Sequence, residues 1–212
     1  MKRIFIVVAV ALLGMVSLPE TASAQWDLSK LTGLFKGGSS SSSQKKSPYQ
    51  TLAENAPTTK RVVGLWNYKN FSIDYLGTNA FAEAAISQIE SIGREELMMA
   101  GIKAGSFSIR LNANGKGSFY YEDYVYDGSY TYDSSTARFR IQAMADNGKT
   151  LTCGGYLKMS EDGELIIMLK AEDAVRAFKT MLPDADDDST FEMIEGVVSN
   201  FSGLYLSLRC TR

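Results

Sequence analysis

The two ends of the strand-rich part of this chain match. Near its start stands Gly64-Leu65-Trp66-Asn67-Tyr68, and its last strand-like run is Gly203-Leu204-Tyr205-Leu206-Ser207-Leu208-Arg209-Cys210. Between them lie short alternating runs punctuated by turn dipeptides, the pattern of hairpins. A sheet that begins and ends on comparable strands can pair its outer strands with each other, and closure removes the exposed edges that an open sheet must otherwise protect. Gly64 and Trp66 then belong to the closing seam, and the ring of Trp66 is expected to plug one end of the barrel.

Arg61 to Tyr75 reads as the first strand. Its alternation changes phase between Tyr68 and Phe71, which predicts a bulge near Asn70. Asn79 to about Ala100 reads as a helix, with Ala82, Ala85, Ile86 and Ile89 at helical spacing. Strands follow over Ser106–Leu111, Gly117–Glu122, Gly128–Asp133, Ala137–Ala143, Thr150–Met159 and Glu164–Lys170. Asn114-Gly115, Asp127-Gly128, Asn147-Gly148 and Asp162-Gly163 read as turns. Helical spacing returns over Glu172–Leu182 and stops at Pro183; a second short helix spans Thr190–Val198, and the last strand is Gly203–Thr211. The predicted fold is mainly β: an antiparallel barrel of about eight strands, one helix after the first strand and two short helices before the last.

Residues 1–24 read as a secretory signal peptide. Lys2 and Arg3 make a positive start, Ile4–Leu13 is an apolar run too short to span a bilayer, and Ala22-Ser23-Ala24 is a small-x-small cleavage site ahead of Gln25. Residues 25–60 follow as a short amphipathic segment (Leu28, Leu31 and Phe35 on one stripe) and a Ser-rich flexible linker, with Pro48–Lys60 read as loop; the barrel domain is placed at 61–212. The expected location is the periplasm, the cell surface or the medium, with no transmembrane segment after cleavage. Lys2, Arg3 and Glu20 fall within the leader, so the exported chain carries a net charge of −3, which offers no footprint for nucleic acid. The sequence contains no His, which removes His triads, His metal sites and imidazole switches.

Strand parity assigns the interior. Phe107 and Ile109 share one face. Phe119, Tyr121, Tyr130 and Tyr132 continue it if the Asn114-Gly115 turn carries a bulge, and Phe139, Ile141, Ile167 and Leu206 complete it, with Leu111, Leu165, Leu169, Leu204 and Leu208 on the same face beside these ten. About eight strands enclose a space that side chains can fill or that holds one small ligand. These ten residues are therefore the candidate ligand-binding lining. Export favours a disulfide between Cys153 and Cys210, the only two cysteines. A simple meander sends them toward opposite rims, where a bond is out of reach.

The order GLWNY, an Ala-rich helix, GIKAGSFSIRLNANG, GSYTYD, a helix pair and GLYLSL resembles a lipocalin-like family of secreted proteins from diderm gut bacteria, labelled a domain of unknown function. The resemblance covers about Val62 to Arg209, and Gly64-x-Trp66 is similar to the lipocalin opening signature. It implies a lipocalin-like β-barrel in the envelope or outside the cell and no particular activity. One departure is the arginine that packs over this Trp in lipocalins. Arg209 is near, but its parity points it away from the leucine face.

Other constellations have simpler readings. Asp184, Asp186, Asp188 and Glu195 fall at calcium-loop positions, but Ser189 stands where such a loop needs Gly, and Ser189-x-x-Glu192 is a capping box. The tyrosines of Phe119–Tyr126 could stack on sugar rings; cross-strand aromatic pairing accounts for most of them, least well for Tyr124 and Tyr126. Glu122 with Asp123, and Glu95 with Glu96, are adjacent residues whose side chains diverge, and no G-x-S-x-G elbow or phosphate loop is present. The expectation is a non-enzymatic protein without cofactor that binds a small apolar or amphipathic ligand in its barrel. The alternative is a surface protein that binds glycan or protein through its hairpin tips, with the barrel filled.

Overall fold

The computed structural model describes residues 46–77, 86, 90–91, 94, 97–98, 101–144, 148, 150–181, 198–199 and 202–212. Residues 1–45, with the expected signal peptide, most of the helix expected over Asn79–Ala100, and the acidic loop with Asp184, Asp186, Asp188 and Glu195 lie outside the described residues.

Eight antiparallel strands form a closed barrel in sequence order. They are β1 (Gly64–Tyr75), β2 (Phe107–Leu111), β3 (Lys116–Tyr121), β4 (Tyr124–Asp133), β5 (Arg138–Met144), β6 (Thr150–Met159), β7 (Leu165–Lys170) and β8 (Leu204–Thr211). β1 closes the sheet because it serves two neighbours. Gly64 to Asn67 pair with β2, and Asn67 to Tyr75 pair with β8. The register shifts between Tyr68 and Asn70, at the expected bulge. A bulge sharpens twist and bends the strand, which lets one strand turn from one partner to the other.

Alternation decides the two faces. On β7, Leu165 and Ile167 point into the main core, while Ile166 and Met168 point out yet are equally buried. Their cover is α1 (Pro48–Glu54), whose Leu52 packs with Ile166, Met168 and Tyr205. Residues Pro48–Lys60, read from the sequence as loop, therefore need correction: they hold α1 and the start of α2 (Thr59–Val62). A capping box fixes the start of α1, with the Ser47 hydroxyl accepting from the Gln50 N–H, the Gln50 side chain accepting from Ser47, and Pro48 in the first turn. Charged groups stay on the outer face. Lys158 and Ser207 both donate to Asp74, at 2.6 Å and 2.5 Å, tying β6, β1 and β8; Glu164 pairs with Lys69 and lies 3.7 Å from Arg209.

Two turn readings also need correction. The β3–β4 turn is Glu122-Asp123, with Glu122 at φ 50°, and Asp127-Gly128 lies inside β4. A glycine is required there because a Cβ at position 128 would meet the Gln142 carbonyl oxygen at 2.5 Å. The disulfide is absent: Cys153 and Cys210 are both free. Cys210 lies level with Leu165 and Met159, whereas Cys153 is six residues further along β6. At about 3.3 Å per residue that is about 20 Å of strand, far beyond disulfide reach.

Helical segments cover the end of the barrel opposite Gly64. α3 (Ala171–Met181) follows β7 and contacts β6, β7 and β8. It buries Ala171, Ala174 and Val175 in the main core, and its Asp173 carboxylate accepts the Gly154 N–H at 2.8 Å. Between β1 and β2, Ile86, Glu90, Arg94 and Leu97 are helical, with Ile86 and Leu97 buried. β2 does not extend along the far half of β1, and this helix satisfies that edge. Glu90 accepts the Ile73 N–H at 2.9 Å, and Arg94 donates to the Phe71 carbonyl at 3.0 Å. No helix among the described residues is long and apolar enough to cross a membrane.

Candidate functional site

The ten lining residues expected from parity all join one interior cluster. Phe107, Ile109, Tyr121, Tyr130, Phe139, Ile167 and Leu206 are buried in it, and Phe119, Tyr132 and Ile141 are half-buried against it. The Asn114-Gly115 connection keeps β2 and β3 in phase, with Ile109 opposite Phe119 and Leu111 opposite Gly117. The expectation omitted Tyr68, Phe71, Tyr126 and Leu157, which belong to the same cluster. The alternation Leu151, Cys153, Gly155, Leu157 on β6 was a usable signal for that wall.

One end of this interior is sealed from the first strand upward. Trp66 is 1% exposed, and its indole N–H donates to the Val62 carbonyl at 2.7 Å. Val62 is fully buried beside it. Tyr132 donates to the Pro57 carbonyl at 2.6 Å, and Tyr130 donates to the Asn112 carbonyl at 2.8 Å. The guanidinium of Arg212 lies 4.9 Å from the Trp66 ring centroid and donates to the carbonyls of Arg61 and Val63 at 3.0 Å and 3.2 Å. Arg209 points outward toward Glu164, as its parity requires. The arginine over the tryptophan is therefore Arg212, which has the parity of Leu208 and Cys210.

The lipocalin arrangement of a first-strand tryptophan under a cation from the last strand is thus complete, and the sequence model of one family matches residues 41–212. The chain belongs to the Lipocalin-like domain (DUF4923) family. No curated protein and no solved structure matches it. Within this lipocalin-like barrel, the interior wall divides by chemistry. Aromatic rings run from β1 to β5: Tyr68 stacks on Phe107 at 4.4 Å and 18°, Phe107 meets Phe119 at 4.9 Å, and Tyr130 meets Phe139 at 5.9 Å. From β6 to β8 the interior positions carry Leu, Ile, Met, Cys and Gly, without a ring.

No interior-facing strand position among the described residues carries a charge. Burial pushes the thiols of Cys153 and Cys210 up to about 12 from 9.0, with Asp173 and Glu164 adding to the effect respectively. Burial likewise raises the phenols of Tyr68 and Tyr132 to about 12, and raises that of Tyr130. These groups are held protonated, so the cysteines are poor nucleophiles and poor metal ligands as they stand. No cluster of three potential metal ligands occurs among the described residues.

The same shifts set an alkaline limit. The unfolded chain loses these protons near its ordinary values of 9.0 and 10.0, while the folded chain keeps them to about 12. The folded state then binds more protons, so stability is full below about pH 9 and falls as pH rises toward about 12. Thermal denaturation across that range should show a flat melting temperature and then a steep decline. A melting temperature unchanged at about pH 11 would contradict this.

Proposed function

We propose that this chain is an exported, non-enzymatic binding protein that holds a small apolar or amphipathic molecule inside its barrel. The observation that carries the reading is where the interior keeps accessible surface. Phe119, Tyr126 and Ile141 on β3–β5, and Leu169 and Leu208 on β7–β8, point inward yet remain half-buried. A filled barrel would bury all of them, as it buries Trp66, Phe139 and Leu165. A sealed floor with accessible apolar walls above it suits capture of a ligand from the opposite rim. α3 lies over β6–β8, so the entrance is assigned to the side of the β3–β4 and β5–β6 tips. Protonated thiols and phenols favour holding over chemistry, which supports the non-enzymatic reading.

The experiment is native mass spectrometry of protein recovered from the envelope or medium of a diderm bacterial host. The expected result is an N-terminus at Gln25 and a co-purified small molecule released on denaturation. An intact Met1 counts against export, and an empty protein that takes up no hydrophobic probe counts against interior binding. The second reading, binding of glycan or protein through the hairpin tips, has its own support. Tyr124, Val125 and Met144 are 47%, 56% and 72% exposed. Val125 and Met144 sit on the outer face of paired strands, diagonal to each other across the Asp127 position. Loss of partner binding on Val125→Ser with Met144→Ser, and unchanged probe uptake, would favour that reading.

A further inference from the structure

We propose that an apolar patch on the outer face of the hairpin tips, formed by Tyr120, Val125 and Met144, is the docking site of the chain's own N-terminal segment, Trp26–Lys36. The proposal does not depend on the interior-binding reading. Phe119, Tyr121 and Tyr126 point into the barrel, so Tyr120 and Val125 face out, and these two are direct partners across β3 and β4. Met144, outward on β5, is the diagonal neighbour of Val125, at about 7–8 Å. Val125 and Met144 are exposed, and Tyr120 is half-buried. The next outward positions on these strands, Ser118, Asp127, Ser129 and Gln142, are polar, so the apolar surface is confined to the tips.

The chain ahead of the barrel already covers apolar outer surface elsewhere: Leu52 of α1 packs with Ile166, Met168 and Tyr205. The segment before α1 has an apolar stripe of its own, Leu28, Leu31 and Phe35, and is too short to hold a helix unaided in water. Charge matches. Glu122–Asp127 carries three carboxylates and no Lys or Arg, whereas Trp26–Lys36 carries two Lys against one Asp and leads into Lys45 and Lys46. The same carboxylates disfavour a second copy of this patch, or an anionic lipid surface, as the cover. Reach matches as well. Tyr49, in the first turn of α1, meets Tyr156 on the outer face of β6, with 5.8 Å between ring centroids. Tyr156 pairs with Arg138 and Thr150 with Met144, so the patch lies six residues along the same face, about 20 Å away. Residues 36–45 make a Gly- and Ser-rich tether of ten residues, with a relaxed length of about 16–19 Å and a limit of about 33–36 Å. Such a tether keeps the segment at an effective concentration on the order of millimolar. A partner at the hairpin tips would have to displace it.

The test is acrylamide quenching of the chain begun at Gln25 and carrying Trp26→Phe with Phe35→Trp, which moves the segment's only indole onto its apolar stripe. The other tryptophan, Trp66, is 1% exposed and gives a constant, protected background. The introduced indole should be quenched at least about threefold less than in the same chain with Val125→Ser and Met144→Ser, as a mostly docked segment requires. Both positions are exposed, and each substitution is also made alone, so a variant without a cooperative melt leaves the other to decide. Leu28→Ser with Leu31→Ser, ahead of the barrel in sequence, should release the indole equally. If the patch substitutions leave quenching unchanged, the docking site is wrong. Protection lost on dilution would assign the contact to a second copy, and protection gained only with phosphatidylglycerol vesicles would make the segment a lipid anchor; either result overturns the proposal. Uptake of a hydrophobic probe, measured on the same variants, tests the interior reading separately.

Discussion

Trp66→Ala should cost about 3–5 kcal/mol of stability, the range for removing a large buried aromatic side chain. Trp66 is 1% exposed and closes the floor of the barrel. Its removal also leaves the Val62 carbonyl without the indole donor that meets it at 2.7 Å. The Arg212 guanidinium above the ring then loses its cation–π partner. A double-mutant cycle with Arg212→Ala should give a coupling of about 0.5–1 kcal/mol, as for exposed cation–π pairs. Leu206 serves as the distant control. It faces Ile73 and Leu169, seven residues up β1 from Trp66, so Trp66→Ala and Leu206→Ala should add. Chemical denaturation of the three single and two double variants measures all of this. A Trp66→Ala protein of unchanged stability would mean that the floor is held by other residues.

The strands were legible because each obeys a two-residue period and most are bounded by Gly with Asn or Asp. All eight lie where alternation puts them, within a few residues. Two features that local pattern missed share a cause: each depends on a neighbour remote in sequence. Gly128 looks like a turn residue, and only the Gln142 carbonyl on β5 explains it as a close approach within a strand. Glu90 and Arg94 look like an ordinary helical ion pair. Their bonds to β1 arise because β2 leaves that edge unpaired, which no local pattern states. Other missed features had signals available. Ser47-Pro48-x-Gln50 is a capping box with proline in the first turn, enough to predict α1. Arg212 follows Leu208 and Cys210 in parity, enough to place it over Trp66 rather than leave that role empty. Of the candidate site, residue types and faces were legible. The division into aromatic and aliphatic walls required the strand order to be closed into a ring.

Gly155→Ala should be the most disruptive single-methyl change in the barrel, costing at least about 3 kcal/mol, the upper end of overpacking penalties. A Cβ at this position would lie 1.7 Å from the Met168 carbonyl oxygen and 2.8 Å from its carbon. Both are backbone atoms of β7, so no rotamer change relieves the clash. β7 would have to retreat from β6 by well over an ångström. It has nowhere to go: Leu165, Ile166, Ile167 and Met168 are each at most 3% exposed, packed by the core on one side and the outer cover on the other. The tight approach also carries the register that sets Leu169 beside Gly155 and Leu157 beside Ile167, and through them the aliphatic wall of the interior. Gly163→Ala provides the comparison. Nothing lies within 4 Å of its added Cβ, and its φ of +82° imposes only the left-handed backbone cost of about 1–2 kcal/mol. Thermal and chemical denaturation of the two variants should rank Gly155→Ala well below Gly163→Ala, with apolar probe uptake lost in the former and retained in the latter. The reverse order would mean that β6 and β7 are further apart than the barrel requires.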